Sequence, residues 1–136
     1  MSRPASRPGG GLERARALLR RHWGHHDFRP SQRPVVSAML AGRDVLAVLP
    51  TGGGKSVCFQ VPALCADGLT LVVSPLISLM EDQVEGARRR GLPAAALTSS
   101  TPVDERRRTG ERVRTGAVRL LYVAPESEPS ALAWIR

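Results

Sequence analysis

The chain has 136 residues, enough for one ordinary domain and too few for two. With 42% hydrophobic and 24% charged residues it reads as globular rather than disordered, and its scarce aromatics leave the core to Val, Leu, Ala and Ile. A formal charge of +8 and a pI near 11.3 favour a polyanionic partner such as nucleic acid, while no apolar run approaches the roughly 18 residues of a membrane span.

Residues 1–11, rich in Ser, Arg, Pro and Gly, read as a mobile tail. They lack the apolar stretch of a secretory signal, so a cytoplasmic location is expected. From Leu12, apolar residues recur at helical spacing (Leu12, Ala15, Leu18, Leu19, Trp23), which predicts a helix ending near Gly24. His22, His25 and His26 follow without a cysteine or paired carboxylate to complete a metal site, and a solvated helix end accounts for them. Ser31 can cap a second helix, with Pro34 in its first turn and Val35, Val36, Met39 and Leu40 facing inward. The stretch Ala41-Gly42-Arg43-Asp44 is its closing turn.

Val45 to Leu49 reads as a short apolar strand, of the kind buried on both faces of a parallel sheet. A glycine turn follows, then a helix from Lys55 to about Ala66. Cys58 and Cys65 would lie two turns apart on it, roughly 10 Å along the axis, too far for a disulfide. Strands are expected at Leu69–Ser74, Ala94–Thr98 and Arg119–Val123. A helix opens at Pro75, with Leu76, Leu79, Met80, Val84 and Ala87 on one side, and another covers Pro102 to about Arg114. Strand and helix thus alternate four times, the pattern of a layered α/β fold with a parallel sheet. The arginine triplets at 88–90 and 106–108 supply much of the excess charge, as either a nucleic-acid contact or a solubilising face.

Lys55 is the only lysine; the other 19 basic residues are arginines. It marks a place where a compact ammonium on a flexible stem is needed, which a planar guanidinium cannot imitate. Its setting, Leu49-Pro50-Thr51-Gly52-Gly53-Gly54-Lys55-Ser56, is a strand feeding a glycine-rich turn into a helix. Without β-carbons, Gly52, Gly53 and Gly54 let the backbone N–H groups turn toward phosphate oxygens, and the helix start adds about half an elementary charge. Lys55 would reach the β- and γ-phosphates of a nucleotide, and the Ser56 hydroxyl would coordinate Mg²⁺. The pattern G-x-x-x-x-G-K-S has glycine where this chain has Leu49.

Five segments, in order, carry a wider resemblance: Phe28 to Gln32; Gly42 to Leu46; Leu49 to Ser56; Val72 to Gln83; and Leu120 to Glu126. Together they closely resemble the RecQ family of DNA helicases, whose phosphate loop also has a bulky apolar residue in the place of Leu49. The resemblance spans roughly residues 12–126. It implies a RecA-like P-loop α/β fold with ATP and Mg²⁺ as cofactors and DNA, single-stranded or forked, as partner. It also implies unwinding from the 3′ toward the 5′ end in repair and recombination, in association with the bacterial nucleoid. By the same resemblance Gln32 reads the adenine edge with help from Arg29, and Thr51 to Ser56 bind the triphosphate, with Lys55 as the catalytic member. A glutamine amide suits adenine because it both donates and accepts; taken without the resemblance, Gln32 is a polar residue of a first helical turn. Ser74, Pro75 and Leu76 match the motif that touches the DNA backbone, and Thr98 to Thr101, Ser99 included, would offer hydroxyls to the same strand.

The family's aspartate-glutamate pair, its second motor domain and its zinc region have no counterpart in Ser127 to Arg136, which diverges from the family. The expectation is therefore an incomplete first helicase domain: an ATP-binding half-site at residues 12–126, inactive in unwinding by itself. Two other readings are a non-catalytic nucleotide- or DNA-binding module and an unrelated phosphate-loop enzyme such as a small kinase. Gln32, Ser74-Pro75-Leu76 and Ala124-Pro125-Glu126 argue against the kinase.

Overall fold

A computed structural model describes residues 10–50 and 54–125. They form two units, dividing between Ala66 and Asp67. The first unit is helical. Helix α1 spans Gly10–Trp23, α2 Arg33–Leu40 and α3 Lys55–Cys65. In α1, Glu13 lies in the first turn and Arg20, Arg21 and His22 in the last, each sign favoured by the helix dipole at its end. Gly24 stops the helix with φ of 73°, close to its expected end. The start of α2 lies one residue beyond the expected cap: Gln32 occupies the N-cap position, and no side chain caps the helix.

Ala15 and Leu19 of α1, Phe28, Val36 of α2, and Val57 and Val61 of α3 form the core of this unit. Leu12, Trp23, Leu40 and Cys65 pack around them. Asp27 ties the helices together at the surface. Its carboxylate accepts from Arg16 Nε of α1 at 3.0 Å, from Arg33 Nη2 of α2 at 2.6 Å, and from the Phe28 N–H at 2.7 Å. The carboxyl is thereby held below the usual carboxylate range, mainly by the Phe28 N–H, with Arg16 and Arg33 adding to it against the cost of desolvation.

The second unit is a β-α-β-α-β arrangement. Strand β1 covers Thr70–Val73, helix α4 Ile77–Arg89, strand β2 Ala94–Leu97, helix α5 Val103–Arg114 and strand β3 Leu120–Val123. All pairs are parallel in the order β1-β3-β2, with Leu71 and Ala95 flanking Leu121, and Val73 and Leu97 flanking Val123. The chain moves across the sheet from β1 to β2 and then back to β3. Right-handed crossovers in these two opposite directions place α4 and α5 on opposite faces. Ala95, Leu97, Leu121 and Val123 form the core on one face, against Val113 of α5. The central strand is buried throughout. These elements bear out the expected layered α/β fold with a parallel sheet.

Two expectations fail. Val45 to Leu49 is not a strand: residues 43–50 have no regular structure, with Leu46 93% and Val48 88% exposed. A strand exists only through a hydrogen-bonded neighbour, and the unit that holds this segment contains helices alone among its described residues. Helix α4 begins at Ile77 and buries Met80, Val84 and Ala87, while Leu76 and Leu79 remain 58% and 45% exposed. The inward stripe is the i, i+4, i+7 row from Met80; Leu79 is set about 100° from it, and Leu76 precedes the helix.

Candidate nucleotide site and strand-end loops

Thr51, Gly52 and Gly53 of the expected phosphate cradle lie outside the described residues. Its helical end is defined by Gly54, Lys55 and Ser56. Gly54 is the N-cap of α3 in the left-handed region, φ 73° and ψ 40°, and no side chain caps the helix. The first N–H groups of α3 have no acceptor within the helix, so this end can receive an anion. Lys55, exposed, and Ser56, half-buried, are the first two residues of α3.

Gln32 comes to the same place from the start of α2. Its Oε1 accepts from the Arg29 backbone N–H at 2.8 Å, and its Nε2 donates to the Gly54 carbonyl at 3.1 Å. Only 5% of the residue is exposed. The amide retains one hydrogen and one lone pair beyond these bonds, the paired capacity that an adenine edge would use. A β-carbon at Gly54 would collide with the Gln32 amide nitrogen, so two physical demands select glycine here: backbone conformation and close approach. The Cys58 thiol donates to the same Gly54 carbonyl at 3.8 Å. Burial pushes this thiol up, so it stays protonated and able to donate. Sequence spacing only set Cys58 too far from Cys65 for a disulfide. Its position four residues after Gly54, one turn into α3, is the signal for this contact.

The structure therefore brings Arg29, Gln32, Gly54, Lys55 and Ser56 together around the start of α3. These residues fit a nucleotide with its Mg²⁺. The amides and Lys55 would hold phosphate oxygens, the Ser56 hydroxyl would be a metal ligand, and the ion would supply charge neutralisation at the terminal phosphates.

In the second unit, Ser74, Thr98 and Ala124 directly follow β1, β2 and β3. Parallel pairing puts all three at one edge of the sheet, outside the carboxyl ends of the strands, where open α/β sheets bind ligands. The Ser74 N–H is held by the Val123 carbonyl at 3.0 Å, while its Oγ accepts from the Leu76 N–H at 3.4 Å. Pro75 and Leu76 are exposed. Helix α4 has Leu76 at its N-cap and no side-chain cap, so its leading amides remain available to a phosphate.

The hydroxyls after β2 divide in two. Thr98 is buried and its Oγ1 accepts from the Ser100 N–H at 3.2 Å, while Thr101 Oγ1 accepts from the Thr98 N–H at 2.9 Å. Arg106 of α5 clamps the loop, donating from Nη2 to the Thr98 carbonyl at 2.9 Å and from Nε to the Thr101 carbonyl at 3.0 Å. Ser99 and Ser100 are exposed and face outward from this closed loop. The clamp by Arg106 was not foreseen, because an arginine triplet looks like surface charge until the loop folds back on it.

Residues 29–133 match the family model described as DEAD/DEAH box helicase. The chain is 53% identical over 116 residues to the ATP-dependent DNA helicase RecQ of Synechocystis, covering 85% of this chain and 24% of that protein. It is 46% identical to the RecQ of Haemophilus influenzae over 112 residues, covering 82% and 18% respectively. The chain thus spans a quarter or less of the length of these curated relatives. Among solved structures, the DNA-bound DUF1998 helicase MrfA superposes with a TM-score of 0.72 at 20% identity, over 92% of this chain and 18% of that one. A hypothetical ATP-dependent RNA helicase from Sulfolobus tokodaii does so with a TM-score of 0.66 at 22% identity. These two likenesses concern the fold. The expected resemblance to RecQ helicases holds along most of the chain, and with the helicase model matched from Arg29 onward, this chain belongs to the DEAD/DEAH box helicase family.

Proposed function

We propose that this chain provides the nucleotide-binding start of a RecQ-like, ATP-dependent DNA helicase, working in duplex unwinding during repair and recombination. The observation that supports it most directly is the junction of Gln32 with Gly54: a base-reading amide bonded to the residue that opens the phosphate-binding helix. In this reading Gln32 and Arg29 take the adenine, residues 51–56 take the triphosphate, and Ser56 takes Mg²⁺. Ser74 to Leu76 and Ser99 contact the backbone of single-stranded or forked DNA, which would bring the protein to the nucleoid. Among the described residues no helix is long and apolar enough to cross a membrane.

Strand separation also needs a group that orients the attacking water and a second motor domain. We therefore expect ATP·Mg²⁺ binding without unwinding from the 136 residues alone. Calorimetric titration of ATP·Mg²⁺ into the wild-type chain and Lys55→Ala tests the assignment. Heat of binding from the wild type and its loss in the variant are expected, whereas equal affinity of the two proteins would remove Lys55 from the triphosphate.

A further inference from the structure

The stretch from Asp27 to Arg33 leads into α2 and is closed on itself, because Arg33 Nη2 donates across it to Asp27 Oδ2 at 2.6 Å. Asp27 Oδ1 accepts twice more, from the Phe28 N–H at 2.7 Å and from Arg16 Nε of α1 at 3.0 Å. Phe28, buried in the core of the helical unit, anchors the stretch from the other side. Within it, residue 32 closes onto residue 29 twice. The Gln32 N–H donates to the Arg29 carbonyl at 2.9 Å, and the Arg29 N–H donates to Gln32 Oε1 at 2.8 Å. The Gln32 amide therefore cannot turn without moving the Arg29 N–H, one residue from the Phe28 N–H that Asp27 holds.

The partners of the amide also set its polarity. A backbone N–H only donates and a backbone carbonyl only accepts, so Oε1 must face Arg29 and Nε2 must face Gly54. A flipped amide would lose both bonds and set N–H against N–H and C=O against C=O. With the polarity fixed, the spare lone pair and the spare hydrogen lie in a defined order. Adenine offers an N6 donor beside the N7 acceptor and can meet both. Guanine offers acceptors at O6 and N7, so one of the two contacts becomes repulsive.

A carboxylate that ties two helices can serve stability alone. Here, however, two of its three bonds lead into the stretch that carries Gln32. We propose that Asp27 is a positioning residue for base selectivity. Through the Phe28 N–H and Arg33 it holds the Arg29 N–H, and so the Gln32 amide, in the orientation that accepts adenine and rejects guanine. This role rests on the nucleotide-binding reading of Gln32 given above. The hold uses an ionised acceptor, whose hydrogen bonds are shorter and stronger than neutral ones.

The test is calorimetric titration of the Mg²⁺ complexes of ATP, GTP and inorganic tripolyphosphate into the whole chain, as wild type, Asp27→Ala and Arg33→Gln. The wild type should favour ATP over GTP by at least about tenfold, the effect of one mismatched contact. Asp27→Ala should bring that ratio below about threefold by weakening ATP, with GTP and tripolyphosphate binding kept within about twofold. Arg33→Gln, which cuts one of the two ties into the stretch, should give an intermediate ratio. An ATP-to-GTP ratio unaltered by Asp27→Ala overturns the proposal, and so does loss of tripolyphosphate binding in both variants, the mark of a merely structural role. A wild type that ignores all three ligands, or binds ATP and GTP alike, refutes the nucleotide reading of this site itself, and the positioning role falls with it.

Discussion

The substitution Gly54→Ala tests the junction on which the proposed nucleotide site depends. An L-residue held in the left-handed region costs about 1–2 kcal/mol relative to glycine. The new β-carbon also lies within contact of the Gln32 amide, which must withdraw from the Gly54 carbonyl. Losing that bond costs about 0.5–1.5 kcal/mol, and a buried amide left without a partner raises the figure toward about 3 kcal/mol. The single substitution should therefore destabilise the helical unit by about 2–4 kcal/mol. In a Gln32→Ala background there is nothing for the β-carbon to strike and no bond left to break, so the same change should cost only the conformational part. Urea unfolding, followed by tryptophan fluorescence to which Trp23 of the same unit contributes, gives all four corners of this double-mutant cycle. A coupling of at least about 1 kcal/mol is expected. Additive costs would mean that Gln32 and Gly54 are not joined, and a neutral Gly54→Ala would mean that the start of α3 has another conformation.

Three further outcomes are expected. The folded-state pKa of Asp27 is depressed, so its contribution to stability is present above the unfolded carboxylate pKa of about 3.9 and is lost as pH falls through the lower folded value. The urea midpoint should drop as pH is taken below about 4, and Asp27→Asn should flatten that drop; an identical pH profile in the variant would show that other carboxylates carry it. Leu46→Ser and Val48→Ser, at sites 93% and 88% exposed, should change stability by less than about 0.5 kcal/mol, whereas a loss above about 2 kcal/mol in the thermal melt would show a buried strand after all. Leu121→Ala removes a side chain with no exposed surface from the centre of the sheet and should cost about 2–5 kcal/mol in urea unfolding. A cost below about 1 kcal/mol would contradict the packing of β3 between its neighbours.

Much of the molecule follows from local chemistry. The 3.6-residue recurrence of Leu12, Ala15 and Leu19, the stop at Gly24 and the apolar runs before Ser74 and Ala124 are properties of neighbouring residues, and the helices and strands formed there lie within one to three residues of the expected positions. The glycine-lysine-serine turn is legible in the same way, because phosphate recognition by backbone amides uses consecutive residues. Partners distant in the chain are another matter. An apolar run states that a segment prefers to leave water, but not which neighbour completes its ladder, and Val45 to Leu49 shows how far that preference falls short of a strand. Gln32 reaching Gly54 across 22 positions and Arg106 closing the loop after β2 both depend on which elements the fold brings together. Residue chemistry and spacing settled most of the elements and singled out the glycine-lysine-serine turn as a candidate; three-dimensional packing alone decided their long-range partners, because hydrogen bonds and desolvation act through space rather than along the chain.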